Sequence, residues 1–175
     1  MKTLSTFLLL FLLILPCAIQ AQENAFSGEY SSPVITFAIV AYDFNETLDF
    51  YTQILGMQKV DEFSIDEAFG KRSGLSNGVP FDVTVLRLTD DPNSSQIKIT
   101  SFENPDELTK SEFIQDNVGV QYLTILVKSM KPFIDRIDEY GIEYRGETPT
   151  PLGNGRQFVL IQDPNGLFIE LIGPE

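Results

Sequence analysis

Apolar and polar positions alternate along this chain in a pattern that runs once, breaks, and then runs again. The stretch PVITFAIVAYD, residues 33–43, is rich in β-branched and aromatic residues and predicts a buried strand. Asp43 then offers an N-cap oxygen, and Glu46 three residues on completes a capping box. Phe44, Leu48, Tyr51 and Leu55 recur on one helical face, and Gly56 stops that helix. Three strands are expected next: MQKVDEFSI over 57–65, FDVTVLRLT over 81–89 and QIKITSF over 96–102. A Gly-rich loop over 66–80, carrying Lys71 and Arg72, separates the first two, and it reads as a lid, a binding loop or a solvated connection.

The charged, turn-rich residues 103–117 read as a connector crossing the surface, after which the same grammar restarts. VQYLTILV, 120–127, predicts a strand, and Ser129 is the expected cap of a helix whose Met130, Phe133, Ile134 and Ile137 share a face before Gly141 ends it. IEYRGE, 142–147, predicts a short strand. RQFVLIQ and LFIELI predict a hairpin around the turn DPNG at 163–166. The chain is therefore an internal duplication. Thr36 precedes its cap, Asp43, by seven residues, and Tyr122 precedes Ser129 by seven; IKI around Lys98 matches IEL around Glu170.

Strand alternation places Thr36, Lys98, Tyr122 and Glu170 on one face, with Thr124 and Phe168 as neighbours. Their flanking residues Ile35, Phe37, Ile97, Ile99, Leu123, Ile169 and Leu171 suit packing under the helices; Gln121 is the polar exception.

Composition narrows the picture further. The 175 residues, 43% hydrophobic, suffice for one domain with a real core. Residues 1–21 have the form of a secretory signal: Met1 and Lys2, an apolar run from Phe7 to Leu15, Pro16, and small Ala21 before the expected cut. The product is then secreted or periplasmic, with a polar lead-in over 22–32. The apolar run falls short of the roughly 20 residues of a membrane span, so no membrane association is expected after cleavage. Cys17 follows the rigid Pro16, which disfavours a lipoprotein. The remaining chain has no cysteine and no histidine, which excludes a disulfide framework. A net charge of -13 repels phosphate backbones and argues against nucleic acid as a partner. Acidity mainly serves solubility, though it also suits a cleft that draws cations.

The segments DFNETLDFYTQILGM and IQDPNGLFIELIG, set in two strand-helix-strand-strand-strand modules, resemble the vicinal oxygen chelate superfamily of glyoxalases, bleomycin resistance proteins and extradiol dioxygenases. The resemblance spans Pro33 to Gly173, with module one over 33–102, a linker over 103–117 and module two over 118–173. It implies an α+β fold in which two βαβββ modules pair into a half-barrel cup. Metal-binding members place ligands at four positions, which fall here on Thr36, Lys98, Tyr122 and Glu170. Only Glu170 is a usual donor: Thr36 is a poor one, Tyr122 would have to lose a phenolic proton, and Lys98 repels cations. A slip to Gln121 would point its side chain to the opposite face. No metal and no other cofactor is therefore expected.

The resemblance then implies a small organic molecule, cationic or aromatic, bound by Thr36, Lys98, Tyr122, Thr124, Phe168 and Glu170. Bleomycin resistance proteins hold a cationic drug in an acidic aromatic cleft, usually between two chains, so a homodimer belongs to this expectation. A second reading is an enzyme of the glyoxalase, lyase or dioxygenase type with an atypical metal site, Glu170 being the best catalytic candidate. A third is a non-binding interaction module, marked by an exposed apolar patch and a filled cleft. A Lys98–Glu170 ion pair across the metal position is also expected, while Asp163 and Asn165 are assigned to the turn alone.

Overall fold

Two four-stranded sheets carry the chain from Thr36 to Pro174 in the computed structural model, which describes residues 28–32, 34–103 and 108–175. The signal segment at 1–21 and most of the polar lead-in lie outside the described residues. The chain divides into two units, Met1–Ser31 and Ser32–Glu175; of the first, a turn at 28–29 is described. Among the described residues no helix is long and apolar enough to cross a membrane.

The first module runs β1 (Thr36–Ala41), α1 (Phe44–Asp49), β2 (Gln58–Ile65), α2 (Glu67–Ser73), β3 (Phe81–Arg87) and β4 (Gln96–Ser101). The second runs β5 (Tyr122–Leu126), α3 (Lys131–Glu139), β6 (Thr150–Gly153), β7 (Arg156–Gln162) and β8 (Phe168–Pro174). Sheet order is β1-β4-β3-β2 in one module and β5-β8-β7-β6 in the other, and in each the first and last strands pair in parallel. The duplication is thus reproduced in register: Ala38 lies opposite Lys98 as Thr124 lies opposite Glu170. The sheets do not close into a barrel.

One face of each sheet meets a common core. Ile39, Ala41, Ile97 and Ile99 from the first sheet and Val159, Ile161, Ile169 and Leu171 from the second pack with Phe50, Tyr51, Ile54, Leu55, Met130 and Ile137. Each large apolar side chain buried there contributes roughly 1.5–3 kcal/mol. The alternation predicted for β4 and β8 holds, but Ile35 and Phe37 remain 70% and 40% exposed. Strand pairing starts only at Thr36 and β1 is an edge strand, so these two have little above them.

Asp43 caps α1 as predicted, accepting from the Glu46 amide at 2.9 Å. Beyond Asp49 the helix widens into a π-helical stretch, Phe50–Ile54, where the Leu55 amide donates to the Phe50 carbonyl. Adjacent Phe50 and Tyr51 are both buried in this stretch.

Three local expectations are corrected. The segment 66–80 is not a plain loop: Asp66 caps α2 by accepting from the Phe69 amide at 2.7 Å, and Gly74, at φ 78°, ends it. Gly70 lies inside this helix because the chain folds back on it, and a Cβ there would come 2.5 Å from Ser76 Oγ. Lys71 and Arg72 occupy its last turn, the end a helix dipole favours for cations. Ser129 does not cap α3; Met130 takes that place without a side-chain bond, and its amide donates instead to the Pro174 carbonyl at 2.7 Å. Residues 142–147 form no ladder strand, although the Arg145 amide donates to Leu160. Gly146, at φ 69°, turns the chain and Pro149 lacks an amide donor, so pairing begins at Thr150.

Candidate functional site

β8 is an interior strand between β5 and β7, and its face away from the core carries Phe168 and Glu170. Parallel pairing sets Tyr122 beside Phe168 and Thr124 beside Glu170, so four of the six residues singled out from the sequence share one face. The Thr124 hydroxyl donates to the Glu170 carboxylate. Tyr122 is about half exposed, whereas Phe168 is 1% exposed. The connector covers it: Phe113 and Ile114 line, with Phe168, Leu160 and Tyr144, a cavity of about 520 Å³.

The other two candidates belong to the first sheet. Lys98 lies on β4 with its ammonium 5.7 Å from the centre of the Phe63 ring, and Thr36 opens the exposed edge strand β1. The expected Lys98–Glu170 ion pair is not made. The ion pairs among the described residues are Lys59–Glu62, Lys131–Asp135 and Arg145–Glu143. Each of the two charges instead takes a partner within its own module, an aromatic face for Lys98 and a hydroxyl for Glu170. A cavity of about 340 Å³ brings Tyr122 and Thr124 against Phe37, Met57 and Gln96 of the first module.

A polar cluster that sequence reasoning gave to the DPNG turn alone also joins the modules. Asp163, 1% exposed, accepts from its own turn at the Asn165 and Leu167 amides and from the Tyr51 hydroxyl at 3.0 Å. Asn165 accepts from the Tyr42 amide at 2.8 Å and donates to Thr47 Oγ1 at 3.0 Å. Burial raises the Asp163 carboxyl above its ordinary value despite these donors, and burial followed by the nearby carboxylate raises the Tyr51 phenol. The signal that pointed here was a tyrosine within an apolar helical face: a buried phenol needs a partner.

The donor set does not fit a transition metal. Of the four positions only Glu170 offers a carboxylate, and Lys98 brings a positive charge to the set. Among the described residues no three His, Cys, Asp or Glu side chains converge.

Paired βαβββ modules, each with a parallel first-to-last strand pair and a helix on the core side, define a duplicated α+β class. The chain belongs to the glyoxalase/bleomycin resistance protein/dioxygenase superfamily, whose sequence model matches residues 34–171. No curated protein matches it. Similar solved structures include a glyoxalase family protein of Bacillus cereus, at TM-score 0.59 and 16% identity over 79% of this chain and 90% of that one. The trypanothione-dependent glyoxalase I of Leishmania major superposes at TM-score 0.53 and 18% identity, over 79% and 84% of the two chains. A fosfomycin resistance protein of Listeria monocytogenes, complexed with Mn(II) and sulfate, gives 0.50 and 13% over 81% and 91%. At these identities the likeness extends to the fold alone.

Proposed function

We propose that this is an exported, metal-free member of the superfamily that binds a small organic cation on the outer face of its second sheet. The observation that carries this reading is the Glu170 carboxylate, oriented by Thr124, sharing its face with the half-exposed ring of Tyr122, and unpaired with any cation among the described residues. A fixed negative charge beside aromatic faces is the arrangement that recognises ammonium groups. The net charge of -13 adds a general field that draws such ligands in. Lys98 in a metal-ligand position, and one carboxylate where several donors are needed, support the metal-free part.

The test is calorimetric titration of the purified protein with benzyltrimethylammonium, alongside thermal unfolding. Binding that raises the midpoint and is lost in Glu170→Gln is the expected result. Equal binding by that variant would sink the reading, as would a stoichiometric transition metal found by elemental analysis.

A further inference from the structure

The cavity beneath the connector has a chemistry unlike that of Glu170. Its apolar wall is formed by Leu160 and Phe168 from β7 and β8, Phe113 and Ile114 from the connector, and Tyr144 from the segment after α3, while Glu112, Gln115 and Glu143 line the remainder with Arg145. Arg145 stands at its rim and is fixed in place. Its amide donates to the Leu160 carbonyl at 2.8 Å, and its guanidinium donates to the Glu112 carbonyl at 3.0 Å. A further bond, from the Gln162 side chain to the Ser111 carbonyl at 2.8 Å, ties the connector to β7.

The charge of Arg145 is poorly matched. Its side chain is 24% exposed, and its one ion-pair partner among the described residues, Glu143, is 3.8 Å away and 84% exposed; Glu112, the other carboxylate lining the cavity, makes no ion pair with it. So distant and solvated a partner neutralises little of this half-buried cation. A guanidinium has five N–H donors in a rigid fork, and one of them is used on Glu112. Phe113 and Ile114, 54% and 46% exposed, leave apolar surface uncovered beside it.

We infer that this cavity is a binding site for a small apolar carboxylate, its hydrocarbon part lying against Phe113, Ile114 and Phe168 and its carboxylate on Arg145. The match is between a planar fork and a planar anion, which bond in parallel, while ring or chain burial supplies the rest of the affinity. The site takes the opposite charge from the proposed cation site and uses different polar groups, so each stands or falls alone.

Phenylacetate is the probe, with phenethylamine and 2-phenylethanol as the positive and neutral analogues, titrated calorimetrically into the purified protein. Phenylacetate is expected to bind at least about tenfold tighter than either analogue. Arg145→Gln is expected to remove that preference, Ile114→Ser to weaken binding several-fold, and Glu170→Gln to leave it unchanged. Absence of phenylacetate binding, or undiminished binding in Arg145→Gln, would overturn the inference. Should Arg145→Gln fail to fold by circular dichroism, the half-exposed Ile114→Ser decides, and unaltered affinity there overturns it equally.

Discussion

The two modules repeat one topology but have been finished differently at corresponding places. Lys98 and Glu170 are equivalent by register, yet one stacks on Phe63 and the other accepts from Thr124. Ala41 lies opposite Ser101 in the first sheet; the counterparts in the second module are Val127 and Gly173. A small side chain with a slightly larger one has been replaced by a large one with none. The outer faces differ too, since the connector covers Phe168 in the second module. Duplication therefore preserves backbone pairing, which depends on period and register, and leaves side-chain pairs free to diverge as long as each pair stays complementary.

The modules are also held together unequally, and the strongest way to test that is to cut the buried clamp. Asp163→Ala removes the acceptor of the Tyr51 hydroxyl and two amides at a site 1% exposed. Stability is expected to fall by about 3–5 kcal/mol, read from the denaturant midpoint, because several buried donors lose a charged partner together. Tyr51→Phe, which deletes one donor and leaves the carboxylate its other bonds, is expected to cost about 1–2 kcal/mol.

The clamp has a pH signature. Burial raises the Asp163 carboxyl above its ordinary 3.8, so the unfolded chain releases this proton at lower pH than the folded one. The part of its stability linked to this proton is whole below 3.8 and is lost as pH rises from there through the raised folded value, while the accepted hydrogen bonds persist. Asp163→Asn, neutral throughout, is expected to flatten that part of the stability profile in urea melts across the acid range. At the alkaline end the phenol of Tyr144, pushed up to about 12 by burial and by its bond to Asp138, stabilises the fold below pH 10 and loses that contribution between 10 and about 12. Tyr144→Phe is expected to remove this loss.

The size exchange between modules predicts a somewhat smaller effect. A Cβ at Gly173 would lie 2.5 Å from the Val127 carbonyl oxygen and 2.6 Å from its Cγ2. Gly173→Ala is therefore expected to destabilise by about 2–3 kcal/mol, since part of the clash is with backbone that cannot turn away. Val127→Ala is expected to recover part of this in the double variant, leaving the carbonyl contact unrelieved. Full additivity of the two single changes would contradict the pairing.

What was legible in the sequence follows from range. Strand alternation in β4 and β8, the Asp43 cap and the DPNG hairpin are decided within a few residues, and they came out as read. The helix at Glu67–Ser73 was masked by Gly70, whose presence reflects the chain folding back so that Ser76 crowds it, and not a preference for loop. Ser129 lost its capping role to a bond between Met130 and Pro174, partners far apart in the chain. Tyr51 and Asp163 are 112 residues apart, and nothing local to the turn announces that its aspartate also serves the opposite module. At the candidate site, Thr124 beside Glu170 follows from duplication and parallel register, whereas the pairing of Lys98 depends on which faces oppose each other.

That last point gives the smallest predicted effect and the sharpest one for the comparison. Were Lys98 the counterion of Glu170, Lys98→Met would strand a carboxylate and cost several kcal/mol. With the ammonium 5.7 Å above the Phe63 ring and the carboxylate served by Thr124, the change removes one cation–π contact. Partly exposed contacts of that kind contribute about 0.5–1 kcal/mol, and the methionine stem recovers some of it against the same ring. Lys98→Met is thus expected to shift the urea midpoint by less than about 1 kcal/mol equivalent, and Lys98→Met with Glu170→Gln to equal the sum of the two alone. A coupling energy well above about 0.5 kcal/mol in that cycle would show that the two charges meet, and that the modules complete one site between them.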